Sequence, residues 1–243
     1  MTPRDIDLAT IRTWPAAVTE ERNGWFYLAA GGVTGRVDAA WPLSWTGGDV
    51  DAAIDDVEAW YAARSLPPRF KLTDDAFAPA HLPDALARRG YEPVMPTLIM
   101  TAPLAPRAAP DGVTLSAALS AIFDATIRET SKDDAEYDER LSIAQRAPPP
   151  AVFAAIEQAG RVVSIGMSAA TGDYAGVFLM RTRPEARRQG HAQRILRALL
   201  SRAADWGARM AFLQVDADNT PAVTLYEREG FSRLATYRFW RRR

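Results

Sequence analysis

The sequence predicts an α/β (α+β) protein built from two domains. Its 243 residues, 48% hydrophobic and 24% charged, are enough to bury a sizeable core. Its charge is unevenly distributed, because residues 1–105 carry a net charge of -5 and residues 106–243 a net charge of +4. Runs with helical periodicity and runs typical of strands both occur in the second half, and weaker copies of some of them occur in the first.

The change in charge falls at "TAPLAPRAAPDG", residues 101–112. Three prolines in this stretch oppose both a helix and a central strand. We therefore predict a first domain over 1–105, a proline-rich linker over 106–111 and a second domain over 112–243.

The second half begins with two helical runs, "LSAALSAIFDATIRE" and "DDAEYDERLSIAQR". Three extended runs follow, around "AVFAAIEQ", "RVVSIGMSAA" and "YAGVFLMRT". "TGD", with Gly172, separates the last two and predicts an antiparallel hairpin. An amphipathic helix from Ala192, a strand "MAFLQV", a short helix "TPAVTLYERE" ended by Gly230 and a strand "LATYRFW" complete the chain.

The stretch "ARRQGHAQRIL", residues 186–196, places glycine and positive charge at the start of the amphipathic helix. A helix N-terminus offers unpaired backbone N–H groups and a partial positive charge, which together favour a phosphate. Residues 181–202 contain seven arginines and one carboxylate, a local balance of +6. The pattern predicts a polyanionic ligand, with Gly190 letting the backbone approach a pyrophosphate.

Other phosphate-binding loops do not fit these residues. The chain has no G-x-x-x-x-G-K-[ST] and no G-x-G-x-x-G after a strand, the fingerprints of nucleotide hydrolysis and dinucleotide binding. It does have R-x-x-G-x-[GA], formed by Arg187, Gly190 and Ala192.

Two ordered motifs, "MRTRPEARRQGHAQRILRALL" and "FLQVDADNTPAVTLYEREGF", give the second half its family resemblance. It resembles the GNAT superfamily of N-acetyltransferases, which use acetyl-coenzyme A (acetyl-CoA). The first motif is similar to the family's pyrophosphate loop and following helix, and the second to its fifth strand and Asn…Tyr…Gly-Phe segment. The resemblance implies a mixed, mostly antiparallel sheet flanked by helices and transfer of an acetyl group to an amine.

The resemblance also implies a set of site residues. Met180 and Thr182 would pair with the pantetheine of the cofactor, Asn219 would contact it, and Tyr226 would face its sulfur as the catalytic residue. The backbone amides of the loop would hold the pyrophosphate, and these belong to Arg187, Arg188, Gln189, Gly190, His191 and Ala192. His191 stands where a small or aliphatic residue is more usual, and we expect its side chain to be exposed.

The first half looks like a degenerate copy of the second. "ALARRGYEPVMPTLIM" echoes "LYEREGFSRLATYRFW" with an offset of 140 residues, and on this alignment Leu86 replaces Tyr226 and Pro79 replaces Asn219. At the equivalent helix start, Asp49 and Asp51 would cap the helix but repel a phosphate. We therefore predict tandem GNAT-like domains of which only the second binds the cofactor, with the substrate pocket where the halves face each other.

Acyl transfer to an alkylamine is helped by a general base, because the amine is protonated at neutral pH. The strand "YAGVFLMRT" carries no carboxylate, so the base is either a water chain or one of four carboxylates in the second half: Glu129, Asp133, Asp134 and Glu136. Tyr226 is the candidate donor to the departing thiolate. Because complete proton transfer from a tyrosine to a thiolate is uphill by about 2 kcal/mol, a strengthening hydrogen bond describes this role better.

Composition argues against several other classes of protein. The chain has no cysteine and only two histidines, His81 and His191, so we expect no metal site, disulfide or thiol nucleophile. A net charge of -1 gives no reason to expect nucleic-acid or membrane binding, and the charged N-terminus predicts a cytoplasmic location. The alternative function is a non-catalytic acyl-CoA sensor, and the sequence makes no prediction of oligomeric state.

Overall fold

The structure of the protein is a computed structural model that describes residues 1–242. The first half contains α1 (Pro3–Thr13), β1 (Val18–Arg22), β2 (Trp25–Ala29), β3 (Ala40–Pro42), α2 (Val50–Ala62), β4 (Phe70–Thr73), α3 (Leu82–Arg88) and β5 (Glu92–Pro103). The second half contains β6 (Thr114–Ser116), α4 (Ala121–Thr130), α5 (Asp134–Arg146), β7 (Ala151–Gln158), β8 (Arg161–Thr171), β9 (Tyr174–Thr182), α6 (His191–Asp205), β10 (Met210–Asp216), α7 (Thr220–Arg228) and β11 (Ser232–Arg241). The order α2-β4-α3-β5 recurs as α6-β10-α7-β11.

Most of the predicted elements of the second half are confirmed. β8 and β9 form the predicted antiparallel hairpin, with Thr171 opposite Tyr174 across Gly172. α6 buries its apolar stripe, including Ile195, Leu196 and Leu199.

The predicted helix "LSAALSAIFDATIRE" is wrong in its first part. Residues 114–116 form the edge strand β6 instead, and the helix begins after Ser120. The Ser120 hydroxyl accepts a hydrogen bond from the Phe123 N–H at 3.2 Å, which caps the helix at this point. The serine preference for N-caps therefore outweighs the helical periodicity before it.

All eleven strands lie in one mixed sheet, in the order β1-β2-β3-β4-β11-β5-β10-β9-β8-β7-β6. Two neighbouring pairs, β3 with β4 and β9 with β10, are parallel, and the other pairs are antiparallel. This confirms the predicted class of sheet flanked by helices.

The final strands of the two halves are exchanged, which makes the sheet continuous. β5, from the first half, pairs with β10 along Met210–Asp216, and β11, from the second half, pairs with β4. β5 and β11 also pair with each other. Each half therefore satisfies the backbone groups at the inner edge of the other.

Helix α1 joins the halves a second time, because it packs across β8 and β9. Trp14, just after this helix, stacks on Phe178 of β9 with ring centroids 4.9 Å apart. One apolar cluster lies between the sheet and α1, α4 and α5, and another lies between the sheet and α6 and α7. Within residues 1–242, no helix combines the length and hydropathy needed to cross a membrane.

Candidate active site

The central opening of the sheet lies between β9 and β10. These parallel strands pair only where Tyr174–Gly176 lies opposite Met210–Phe212. Beyond Gly176 the strands diverge, although β9 continues to Thr182 and β10 to Asp216. Because β10 is paired with β5 on its other side, the divergence leaves one edge of β9, over residues 177–182, without a strand partner.

A bulge in β9 contributes to this divergence. The register with β8 shifts between Ile165 and Met167, and Leu179 has a φ of 51°. Leu179 packs with the apolar cluster under α1, α4 and α5, whereas Met180 packs with the cluster under α6. The bulged strand thus presents side chains to both faces and an open backbone edge to the gap.

The turn after β9 ends at the N-terminus of α6. Gly190 is the N-cap, with a φ of 79°, and a Cβ built on it would meet no atom within 4 Å. The backbone N–H groups of residues 188–193 have no acceptor among residues 1–242. The Arg187 N–H, which we expected to join them, donates to the Pro184 carbonyl oxygen at 3.3 Å. Six successive free donors at a helix N-terminus form a site suited to a phosphate.

Several of the seven arginines counted in this region have partners within the fold. Arg183 is buried and pairs with Glu129, and Arg197 donates to both oxygens of Glu229 at 2.8 Å. Arg194 donates to the Asp111 carbonyl oxygen at 2.5 Å. The charge available to a ligand at this helix start is therefore smaller than the count in the sequence.

The expectation that the His191 side chain is exposed is wrong. His191, the first residue of α6, is only 3% exposed. One ring nitrogen, Nε2, lies 3.3 Å from Oε1 of Gln189, and Nδ1 is buried without a partner. The backbone N–H of His191 remains free for a ligand.

Helix α7 forms the other wall of the gap. Asn219 is its exposed N-cap, and its side-chain oxygen accepts from the Ala222 N–H at 3.4 Å. Glu229, at the C-terminal end, accepts from Gln193 at 2.6 Å as well as from Arg197 of α6. This carboxylate fixes α6 and α7 relative to each other. Burial alone would raise its pKa, but the hydrogen bonds from Arg197 and Gln193 outweigh the cost of desolvation and hold the pKa below the ordinary value.

Tyr226, on α7, is 8% exposed and packs against Phe231. Its hydroxyl forms no hydrogen bond with any other described residue, in contrast to a tyrosine whose role is to satisfy a core carbonyl. Burial raises the pKa of Tyr226 to about 12, and the charge of Arg36 opposes this rise. A neutral hydroxyl without a protein partner is therefore available as a hydrogen-bond donor.

The structure distinguishes the four carboxylates considered as a general base. Glu129 pairs with Arg161 and Arg183, and Asp133 caps α5 by accepting from the Glu136 N–H at 2.9 Å. Asp134 has a side chain that is 91% exposed. Glu136 is partly buried, pairs with Arg140 and acts on the charge of Arg181. Glu136 is thus the partly buried carboxylate of this set, and its charge reaches Arg181 near the end of β9.

Sequence reasoning missed two residues on this face, Arg36 and Arg140. Arg36 lies in the loop between β2 and β3, far from the GNAT-like motifs, and affects the pKa values of both Tyr226 and Arg181. Glu139 of α5 fixes this loop by accepting from the N–H groups of Gly31, Val33 and Thr34 at 2.7 to 3.0 Å. No local pattern predicts these contacts, because they join residues more than 100 positions apart.

The helix start of the first half differs at the corresponding place. Asp49 caps α2 by accepting from the Asp51 N–H at 2.9 Å, and Asp51 pairs with Arg89. These carboxylates supply the negative charge that a helix N-terminus attracts.

Comparison with known proteins assigns the chain to a family. A family model described as "Probable histone acetyltransferase Rv0428c C-terminal" matches residues 2–240. The chain belongs to this family of GNAT N-acetyltransferases. A GCN5-related N-acetyltransferase from Kribbella flavida has the same fold, with a TM-score of 0.73 and 20% identity over 100% of this chain and 96% of that one.

Other acetyltransferases are also similar to this chain. An uncharacterized N-acetyltransferase, YobR, from Bacillus subtilis is 26% identical over 97% of both chains. A mycothiol acetyltransferase from Pseudarthrobacter chlorophenolicus is 31% identical over 62% of this chain and 53% of its own length. A tandem GNAT protein from the clavulanic acid biosynthesis pathway shares the fold with a TM-score of 0.63 and 13% identity, over 98% of this chain and 87% of that one. The protein is therefore a GNAT acetyltransferase with a fold also found in tandem members.

Proposed function

We propose that this enzyme transfers an acetyl group directly from acetyl-CoA to the amine of a small molecule or peptide, in the gap between β9 and β10. The observation that carries the proposal is the conjunction of an open strand edge over residues 177–182 with six free N–H groups over residues 188–193. An extended pantetheine chain matches the first feature and a pyrophosphate matches the second.

In this proposal the backbone of Met180 and Thr182 pairs with the pantetheine, and the amides from Arg188 to Ala192 hold the pyrophosphate. The side chain of Arg187, which donates to the Thr182 carbonyl oxygen at 3.4 Å, lies beside the same turn. Asn219 contributes its side-chain nitrogen, because its oxygen is used as the cap of α7.

Acetyl-CoA, when bound, supplies an activated acetyl group as a thioester. Tyr226 then donates a hydrogen bond that strengthens as negative charge develops on the departing sulfur. Its high pKa makes complete proton transfer unfavourable and leaves hydrogen bonding as its contribution. Glu136 is our candidate for accepting the amine proton, directly or through water, because it is partly buried and its charge reaches Arg181 near the end of β9.

We also propose that the two halves are tandem GNAT-like domains, 1–105 and 112–243, of which only the second binds acetyl-CoA. The recurring order α2-β4-α3-β5 and α6-β10-α7-β11 supports the repeat. The carboxylate caps at the start of α2 support a first half without a phosphate site.

Thiol release from acetyl-CoA in the presence of an amine panel tests the function, with mass spectrometry of the product to detect a gain of one acetyl group. We expect turnover that depends on both the amine and the enzyme. Tight binding of acetyl-CoA without turnover of any amine would replace the enzyme with a non-catalytic acyl-CoA sensor.

A further inference from the structure

We propose that the amine acceptor carries an anionic group, a carboxylate or a phosphate, that binds to Arg36, Arg140 and Arg181. These residues are called the arginine cluster below. The inference rests on the proposed transferase function and names the chemical class of its acceptor.

The arginine cluster is assembled from three separate elements. Arg181 lies near the end of β9, Arg140 on α5 and Arg36 in the loop between β2 and β3. Burial, followed by the charge of Arg181, lowers the pKa of Arg140 to about 10, and Arg36 adds to this effect. Burial also lowers the pKa of Arg181, again with a contribution from Arg36. The charges of Arg36 and Arg181 thus reach Arg140, and Glu139, next to Arg140 on α5, holds the loop that carries Arg36 by accepting from N–H groups of residues 31–34.

The fold compensates these charges only in part. Glu136 pairs with Arg140, and its charge also reaches Arg181. Glu139 is nearby, but its carboxylate accepts from backbone N–H groups of residues 31–34. Nη1 of Arg140 is buried without a partner, and within residues 1–242 the Arg181 guanidinium has no hydrogen bond or ion pair. Nη1 of Arg140 and the Arg181 guanidinium are therefore available as hydrogen-bond donors to a ligand.

A partly buried guanidinium without a partner is costly, so the unpaired Arg181 and the unpaired Nη1 of Arg140 favour an anion that completes the site. The planar fork of a guanidinium matches a carboxylate or phosphate through two parallel hydrogen bonds. The same positive charge repels a cationic group on an acceptor, so a lysine-rich peptide fits this surface poorly.

The position of the arginine cluster relates it to the proposed chemistry. Leu179 and Met180 mark the two faces of β9, and because neighbouring side chains of a strand alternate, Arg181 lies on the face opposite Met180 and α6. Arg36 also acts on Tyr226, which belongs to the α6 and α7 side of the gap. An acceptor whose anionic group binds to the cluster therefore has its amine near the open edge of β9, residues 177–182.

Matched acceptors test this directly. Initial rates with acetyl-CoA are compared for amino acids against their α-amides, for phosphoethanolamine against ethanolamine, and for a lysine-rich peptide. We expect kcat/KM to be at least about 10-fold higher for the anionic member of a pair, with the two pairs distinguishing carboxylate from phosphate. A preference for the amides, for ethanolamine or for the peptide would overturn the inference.

Variants of the arginine cluster test whether these residues bind the anionic group of the acceptor. Arg181→Gln and Arg36→Gln are expected to raise KM for the anionic acceptor by about 10-fold or more, with CoA affinity unchanged, and Arg181→Lys to lie between. Arg4→Gln is the matched control, because Arg4 is exposed on α1, outside the cluster. An unchanged KM in both cluster variants would contradict the proposal.

A binding measurement separates this inference from the transferase function itself. Isothermal titration compares N-acetylglycine with N-acetylglycinamide, which differ in the carboxylate, on wild type, Arg181→Gln and Arg4→Gln. Binding of the acid alone, lost only in Arg181→Gln, supports an anion site even if no amine releases thiol. Three results would overturn the inference. They are equal binding of both probes to wild type, equal binding of the acid to wild type and Arg181→Gln, and no binding of the acid to wild type.

Discussion

Leu86 and Tyr226 occupy equivalent positions in the two repeated units. The Tyr91 N–H donates to the Leu86 carbonyl oxygen at 3.0 Å, and the Phe231 N–H donates to the Tyr226 carbonyl oxygen at the same distance. The glycine before each donor, Gly90 or Gly230, has a positive φ. The backbone that ends α3 and α7 is thus the same. The two units differ in the side chain at this position, which is leucine in the first and tyrosine in the second.

This difference predicts that one chain binds one CoA. The second half offers free N–H groups and Tyr226, whereas the first offers leucine and the carboxylates Asp49 and Asp51. Isothermal titration on the full chain is expected to give a stoichiometry near one. A stoichiometry of two equivalent sites would show that the first half is not degenerate.

Tyr226→Phe is expected to lower kcat by about 10 to 1,000-fold while leaving CoA affinity nearly unchanged, because it removes only a donor to the developing thiolate. Steady-state kinetics and CoA titration measure the two quantities. Tyr91→Phe is the control, since the Tyr91 hydroxyl lies 3.1 Å from Glu58 in the first half. If Tyr226→Phe turned over at the wild-type rate, Tyr226 would have no part in the mechanism.

Gly190→Glu and Gly190→Gln test the phosphate site with side chains of equal size. Both side chains strain the backbone at a φ of 79° and destabilise the fold by about 1 to 2 kcal/mol. The melting temperatures of the two variants should therefore fall together. Only the glutamate adds negative charge where the pyrophosphate would lie, so CoA binding by calorimetry should be weaker in Gly190→Glu than in Gly190→Gln. Wild-type affinity in Gly190→Glu would rule out this turn as the phosphate site.

Asp38 makes stability depend on pH. Burial and the neighbouring Glu139 carboxylate raise the pKa of Asp38 from its ordinary value near 3.8 to about 7. The folded state therefore binds more protons than the unfolded state between these values, and the free energy of unfolding should fall as pH rises from about 4 to about 7. Denaturant unfolding across this range should show the loss in wild type.

Asp38→Asn is expected to flatten that pH dependence, because an amide holds the hydrogen bond without titrating. Asp138→Asn, at an exposed position of α5, is the control and should retain the wild-type profile. A profile in Asp38→Asn that matched wild type would assign the pH dependence to another group.

Lys71 and Asp7 form a buried ion pair at 2.7 Å, with the Lys71 ammonium also between the rings of Trp41 and Tyr237. Asp7→Asn should destabilise the protein by about 3 to 5 kcal/mol, because it leaves a buried charge without its partner. The double variant Asp7→Leu/Lys71→Met should cost less than Asp7→Asn, as measured by urea unfolding. A larger cost for the double variant would show that the pair itself, not the unpaired charge, dominates.

Much of the second half follows from its sequence. The hairpin β8–β9, the apolar stripe of α6 and the N-cap Asn219 depend on contacts within a few residues or across one turn, so local patterns predict them. The prediction for His191 failed because burial of a side chain at a helix start depends on what the helix packs against.

The tertiary structure alone decides two other features. The exchange of β5 and β11 is invisible to periodicity, because a strand carries the same pattern whichever half it pairs with. The arginine cluster is likewise absent from any motif, since Arg36, Arg140 and Arg181 come from three separate elements and Glu139 holds the loop that carries Arg36 against α5. The sequence by itself therefore determines most elements of the second half and the glycine turn at the start of α6, whereas the arginine cluster arises from long-range packing.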